Sequence, residues 1–156
     1  MSTEEDTVIV SLLREDSRMS LTEMSKVSKI PISTLYGKLK LYKNGLILKH
    51  TALVDFSQLG YRTRARVLFK VKKEDMHSFR EHLLSSHVTN ELYKVTNGYD
   101  YMAEFIFATM KELEDYLDLL ETKFHVQKEQ VFYLVDELQR EGFLSRGRSL
   151  LFGMKK

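Results

Sequence analysis

Ile30-Pro31-Ile32-Ser33-Thr34-Leu35-Tyr36-Gly37-Lys38-Leu39-Lys40-Leu41-Tyr42-Lys43-Asn44-Gly45 holds three lysines and no acidic residue. Pro31 suits a first helical position, where its missing N–H costs nothing, and Gly45 suits a left-handed residue that ends a helix. Between them Leu35, Leu39 and Tyr42 recur at i, i+4 and i+7 and define one buried stripe. Ser33, Tyr36, Gly37 and Lys40 then fall on the opposite face, with Lys38 and Lys43 at its margins. A helix balanced for solubility alone usually mixes signs, so a one-signed face points to a polyanion; the competing reading is a solvated basic helix. As a DNA reader, the helix is expected to use Ile32, Ser33, Thr34, Tyr36, Gly37, Lys38, Lys40 and Lys43. Hydroxyl and ammonium groups at Ser33, Tyr36 and Lys40 match the donor and acceptor patterns of the major groove. Lys38 and Lys43 are expected on phosphates, which position a protein without reading sequence.

The segments before this helix complete a motif. Val8, Ile9, Leu12 and Leu13 share one face of a first helix over 7–14, with Asp6 as its expected cap. Ser20-Leu21-Thr22-Glu23 has the Ser-x-x-Glu form that opens a helix, here one burying Leu21, Met24 and Val27. Helix, helix, short turn and helix make a helix-turn-helix, whose last helix enters the major groove. Leu46 to Val54 has strand character and is expected as a wing or connecting strand, followed by a turn over 55–61 with a boundary at Gly60.

Charge divides along the chain. Residues 24–73 hold twelve Lys and Arg against Asp55 alone, net +11, whereas 74–141 hold six basic against fifteen acidic residues, net −9. That asymmetry suggests a nucleic-acid-facing part joined to a part with another task. Hydrophobic residues make up 43% of the 156, enough for a core, and the chain has no cysteine, which excludes disulfides, thiolate metal sites and cysteine nucleophiles. The acidic start Met1 to Asp6 is unlike a signal peptide and no apolar run approaches a membrane span, so the expected location is cytoplasmic, with no membrane partner.

The second half repeats strand, helix, strand: 64–71, 74–85 and 91–96, then 101–109, 111–124 and 127–135. Leu113, Leu117, Leu120 and Phe124 form the clearest apolar stripe. A β-α-β-β-α-β order gives an antiparallel four-stranded sheet with both helices on one face, the ferredoxin-like arrangement. The fold class is therefore α+β, with domains at 1–50 (winged helix-turn-helix), 62–136 (sandwich), a linker at 51–61 and a basic tail at 137–156. Phe105, Phe107, Phe132 and Leu134 lie in the strands, so an aromatic open face and self-association are expected.

Ser33-Thr34-Leu35, Lys38-Leu39-Lys40, Asn44-Gly45-Leu46-Ile47, Val54 to Tyr61 and Thr96-Asn97-Gly98-Tyr99-Asp100-Tyr101, in that order and spacing, resemble the Lrp/AsnC family of prokaryotic transcriptional regulators. The resemblance spans Asp6 to Val135. It implies a winged helix-turn-helix, a sandwich domain that dimerises through its sheet with dimers assembling into octamers, and binding of pseudo-palindromic duplex DNA. It also implies a small-molecule effector, commonly an amino acid, near Asn97, Gly98, Tyr99, Asp100 and Gln130, and no cofactor, metal or catalysis. Gly37 replaces a larger residue of the family's pattern, and the helix is one residue shorter before Gly45. Asn97, His125 and Gln130 replace small residues around the effector region, so a weak or absent amino-acid response is expected.

Three other readings compete. Gly98-Tyr99-Asp100-Tyr101-Met102 partly mimics an RNA-stacking strand, but lacks the leading basic residue and carries Asp100 and Glu104, which repel phosphate. Sirohaem decarboxylase subunits share the architecture, yet 99–107 contains no histidine for such chemistry. His50, His77, His82, His87 and His125 show no metal-binding spacing and read as isolated surface residues. The tail, with Arg146, Arg148, Lys155 and Lys156 among apolar residues, reads equally as a frayed end, a swapped arm or an auxiliary DNA contact.

Overall fold

Ser20 accepts the Glu23 N–H at 3.1 Å and so opens α2 (Leu21–Ser28), the helix that supports the expected DNA reader. The computed structural model describes residues 4–145. It places α2 between α1 (Glu4–Glu15) and α3 (Ile32–Tyr42). Ile9, Leu12, Met24 and Leu35 are fully buried together, with Val8, Met19, Ile30 and Tyr42 around them. Leu21 and Val27, expected in that core, pack against it only partly buried.

Several local expectations need correction. Pro31 is the N-cap, with ψ of 143°, because its carbonyl accepts the Leu35 N–H at 3.0 Å and no proline N–H is needed. Gly45 is not left-handed, since Lys43 stays helical and the exit tightens through Asn44 N–H to Leu41 O and Gly45 N–H to Tyr42 O, at 3.1 and 3.3 Å. Asp6 lies inside α1 rather than capping it. Residues 47–54 form no strand: an extended segment needs a neighbour to complete its ladder, and Leu48 is left 93% exposed. Within the chain, the helix-turn-helix therefore has no strand wing among the described residues.

The chain divides into two compact units, one made of residues up to Leu53 together with those from Leu138, the other Val54–Glu137. The second opens on a 3-10 turn, Phe56–Leu59, capped by Asp55 through the Ser57 N–H and ended by left-handed Gly60. Then follow β1 (Thr63–Val71), α4 (Met76–Ser85), β2 (Thr89–Lys94), β3 (Tyr101–Phe107), α5 (Met110–Lys123) and β4 (Val126–Tyr133). Pairing is antiparallel throughout in the order β2-β3-β1-β4, the expected ferredoxin-like topology. Thr109 and Glu112 close a reciprocal capping box at the start of α5.

Register decides what each face carries. Ala65 lies opposite Phe105, and Val67 opposite Ala103, so this set meets Phe79 and Leu83 of α4 and Leu113, Leu117 and Leu120 of α5. Phe105 and Phe107 are thus core residues, not parts of an aromatic open face. The open face instead carries the alternate set, in which Arg66 lies opposite Glu104 and Phe132, and Leu68 opposite Met102 and Gln130.

Candidate nucleic-acid interface

The buried stripe of α3 turns Leu35 and Tyr42 inward, which leaves Ser33, Gly37, Lys40 and Lys43 exposed beside Tyr36, itself 63% exposed. Ile32 also faces solvent, while Thr34 is half-buried. Leu41, 71% exposed, joins this surface and was not among the expected contacts. Nothing lies within 4 Å of the position a Gly37 side chain would take, so no packing within the chain requires glycine there. Among the described residues neither Lys40 nor Lys43 is ion-paired, and Lys26 and Lys29 of the same unit are exposed as well.

Lys38 is placed differently. Its Nζ lies 2.6 Å from Asp6 Oδ1 and 3.4 Å from Glu5 Oε2, both on α1, so the cation expected on a phosphate is held within the chain. Tyr42 donates its hydroxyl to the same Asp6 oxygen at 2.5 Å. Burial, then the Asp6 carboxylate, push the phenol above its ordinary pKa, while the Asp6 hydrogen bond outweighs burial and raises that of Lys38. This three-residue knot fixes α3 against α1 from its inner side and leaves the outer face clear.

Arginines of the basic block are also engaged. On the open sheet face Glu104, 1% exposed, accepts Arg64 Nε–H at 3.0 Å, Asn90 Nδ2–H at 2.7 Å and Arg66 Nε–H at 3.0 Å. Arg66 further reaches Glu91, and Arg64 pairs with Glu137. Burial alone would raise the Glu104 carboxyl, but the hydrogen bonds from Asn90, Arg66 and Arg64 hold it below the ordinary range. The +11 block is accordingly not all unpaired cation, because Arg64 and Arg66 neutralise acids of the sheet.

The hairpin turn expected beside an effector also satisfies itself. Asn97 and Gly98 both take positive φ, 65° and 90°, as a tight Asn-Gly turn requires. Asp100 binds Lys70 Nζ and the Val71 N–H, each at 3.0 Å, and these contacts overcome burial to lower its pKa. Tyr99 donates to Gln130 Oε1 at 3.1 Å and lies under Lys128 Nζ, 4.6 Å from its ring centre. A cleft of about 320 Å³ lies elsewhere, lined by Lys72, Thr122, Phe124, His125 and Gln127, and includes none of these turn residues. His125 is not an isolated surface histidine: its ring nitrogen lies 2.5 Å from Asp75, and Glu74 brings a third ligand-type group within 4.8 Å, a meeting of distant loops that spacing in sequence does not show.

Glu129 sits on the helix side of edge strand β4, where burial first, and then Glu121, Glu114 and Asp118, push its carboxyl up to about 7. A folded pKa above the ordinary 4.5 means that ionisation opposes folding, with a cost that grows from about pH 4.5 and is complete above about pH 7. Glu129→Gln should therefore stabilise the protein by about 1–2 kcal/mol at pH 8, a value reduced for partial exposure, and by nothing at pH 4. Urea unfolding at the two pH values checks the sign.

A helix-turn-helix with one cationic face free of acidic residues, joined to a ferredoxin-like sheet, is an architecture suited to a DNA-binding transcriptional regulator. No family model matches the chain. The HTH-type transcriptional regulator FL11 of Pyrococcus horikoshii is 32% identical over 116 residues, covering 74% of this chain and 77% of that protein. The transcriptional regulator AzlB of Bacillus subtilis is 30% identical over 124 residues, 77% of each chain. Among solved structures, E. coli AsnC superposes with a TM-score of 0.80 at 20% identity, over 90% of this chain and 96% of that one. A transcriptional regulator from Neisseria meningitidis, solved as its L-Met complex, gives 0.82 at 18%, over 90% and 94%. The chain belongs to the Lrp/AsnC family of transcriptional regulators. The sirohaem-decarboxylase alternative finds no support in these comparisons. Among the described residues no helix is long and apolar enough to cross a membrane.

Proposed function

We propose that this regulator reads a pseudo-palindromic duplex by inserting the outer face of α3 into the major groove. The observation that carries the reading is that face itself, exposed from Ile32 through Lys43 and free of acidic residues. Ser33 and Tyr36 meet base edges, with Ile32 and Thr34 beside them, and Gly37 lets the backbone approach. Lys40, expected on base edges, lies in the last turn of α3 and is assigned with Lys43 to phosphates, because the N-terminal part of a recognition helix meets the bases; Lys38 acts on DNA only by holding α3 in place. Selection of bound sequences from a random duplex pool tests the reading.

The open sheet face supports self-association. It leaves Tyr93 48% exposed on edge strand β2 and Phe132 46% exposed on the opposite edge strand β4, with the Glu104–Arg66 pair on the strands between them. The full chain is expected to run as a dimer or larger by light scattering; a monomer at micromolar concentration contradicts this.

Asp100, the group suited to an amino acid's ammonium, is already bound to Lys70. A regulator whose turn is self-satisfied responds weakly or not at all to single amino acids. Calorimetry against the twenty amino acids should show no micromolar binding, and a micromolar ligand that survives Asp100→Ala would place the effector elsewhere.

A further inference from the structure

We propose that Glu74, Asp75 and His125 form a binding site for one divalent transition-metal ion, with zinc the ion that their chemistry suits. Two loops of the sheet unit supply them, Glu74 and Asp75 between β1 and α4 and His125 between α5 and β4. The loops meet where the end of β1 pairs with the start of β4, Val71 opposite Val126. Backbone donors then hold them together: the Lys72 N–H donates to His125 O, and the His125 N–H to Asp75 Oδ2, both at 3.1 Å. The Asp75 N–H closes the turn that carries both carboxylates by donating to Lys72 O at 3.0 Å. One ligand atom from each of the three side chains lies within 4.8 Å of the other two, and His125 Nδ1 is already 2.5 Å from Asp75 Oδ2. Nitrogen and oxygen ligands on a tetrahedral zinc sit roughly 3.4 Å apart, a spacing that these side chains reach by small rotations. Glu74 and His125 have the freedom to make them, being 69% and 63% exposed.

The donor set chooses the ion. An imidazole beside carboxylates suits zinc and its neighbours, whereas magnesium and calcium take oxygen ligands alone. Two carboxylates face one nearby cation, Lys72, whose Nζ lies 4.0 Å from Glu74 Oε1, so the group attracts positive charge. Lys72 is the cation that the metal displaces. His125 and Lys72 also line the cleft of about 320 Å³, together with Glu121, Thr122, Lys123 and Gln127. That opening gives the ion a path from solvent and leaves room for water as the fourth ligand. An ion pair alone would account for His125 and Asp75, but the third ligand-type group and the cleft beside them fit an ion. Once bound, the metal pins the β1–α4 turn to the α5–β4 turn and stabilises the sheet unit by mass action.

The test titrates the full chain, first dialysed against a chelator, with zinc chloride in a calorimeter and follows its thermal melt. One ion per chain is expected to bind with micromolar affinity. At a free zinc concentration about a hundredfold above Kd the melting temperature should rise by about 5–10 °C, and magnesium should leave it unchanged. Loss of a direct ligand should cost at least the roughly tenfold in affinity that loss of an outer partner does, so His125→Ala and Glu74→Gln should each weaken zinc binding by that much or more. His50→Ala and His87→Ala should bind zinc as the unaltered protein does. Glu74→Gln keeps the His125–Asp75 contact, so weaker zinc binding with an unchanged metal-free melt separates an ion site from loop packing. The proposal would be overturned by no binding at about 0.1 mM zinc, or by unchanged affinity in either His125→Ala or Glu74→Gln. A loss of zinc in the His50 or His87 variant would overturn it too, by placing the ion elsewhere. None of these outcomes bears on the reading of α3.

Discussion

Glu104→Ala should destabilise the sheet unit by about 2–4 kcal/mol. Removing one member of a buried ion cluster costs about 3–5 kcal/mol, because the remaining charges keep their desolvation without their counterion. Here the figure is lowered, since Arg66 is 42% exposed and Arg64 retains Glu137, so both can turn partly to water. Asn90 Nδ2 and both arginine Nε–H groups lose their acceptor together. For a unit of this size the melting temperature should drop by more than about 8 °C. The sign with pH follows from the lowered Glu104 pKa: its stabilisation is full above the ordinary carboxylate range and is lost as pH falls through the folded value. Thermal melts should accordingly separate the two proteins at pH 7 and converge in acid. Glu104→Gln, which keeps the shape and removes the charge, should fall between them.

Lys40→Ala with Lys43→Ala should produce the largest change in DNA binding. Each lost phosphate contact flattens log K against log salt by about 0.9, so the pair should reduce the slope by about 2 per protomer. Between 50 and 200 mM salt the double variant would then lose roughly tenfold less affinity than the unaltered protein does. Selected and random duplexes should be affected alike, because phosphate contacts carry no sequence information. Lys38→Ala is the control: with its Nζ on Asp6 and Glu5, it should leave the slope unchanged and loosen α3 against α1. Equal slope changes for Lys38 and for Lys43 would show that the Asp6 knot opens on DNA.

Elements with strong local periodicity were legible from the sequence, and their physics is local too. The Ser20 cap, the Leu35–Tyr42 stripe and the α5 stripe each depend on residues within a few turns of one another, as does the alternation of β1. The phase of β3 was not legible. Tyr101-Met102-Ala103-Glu104-Phe105-Ile106-Phe107 is apolar on both sides of its alternation apart from Glu104, and it is the pairing of Ala65 with Phe105 that shows which side meets the helices. The ion cluster of Glu104 was not legible, because its cations Arg66 and Arg64 lie 38 and 40 positions away. The ion pair of Lys38 was hidden for the same reason, its partner Asp6 being 32 residues distant. The 46–54 stretch has the composition of a strand, but a strand exists only where a neighbour supplies its ladder, and composition says nothing of neighbours. Of the turn expected beside an effector, the Asn97-Gly98 geometry was readable, whereas the Lys70–Asp100 ion pair was not.

The most direct measurement is selection from a random duplex pool by the full chain, repeated with Ser33→Ala and Tyr36→Ala. The account predicts that the unaltered protein enriches one pseudo-palindromic sequence, and that the two variants still bind duplex with the same salt slope but lose that enrichment. If the variants enriched the same sequence as strongly as the unaltered protein, the outer face of α3 would not be the reader.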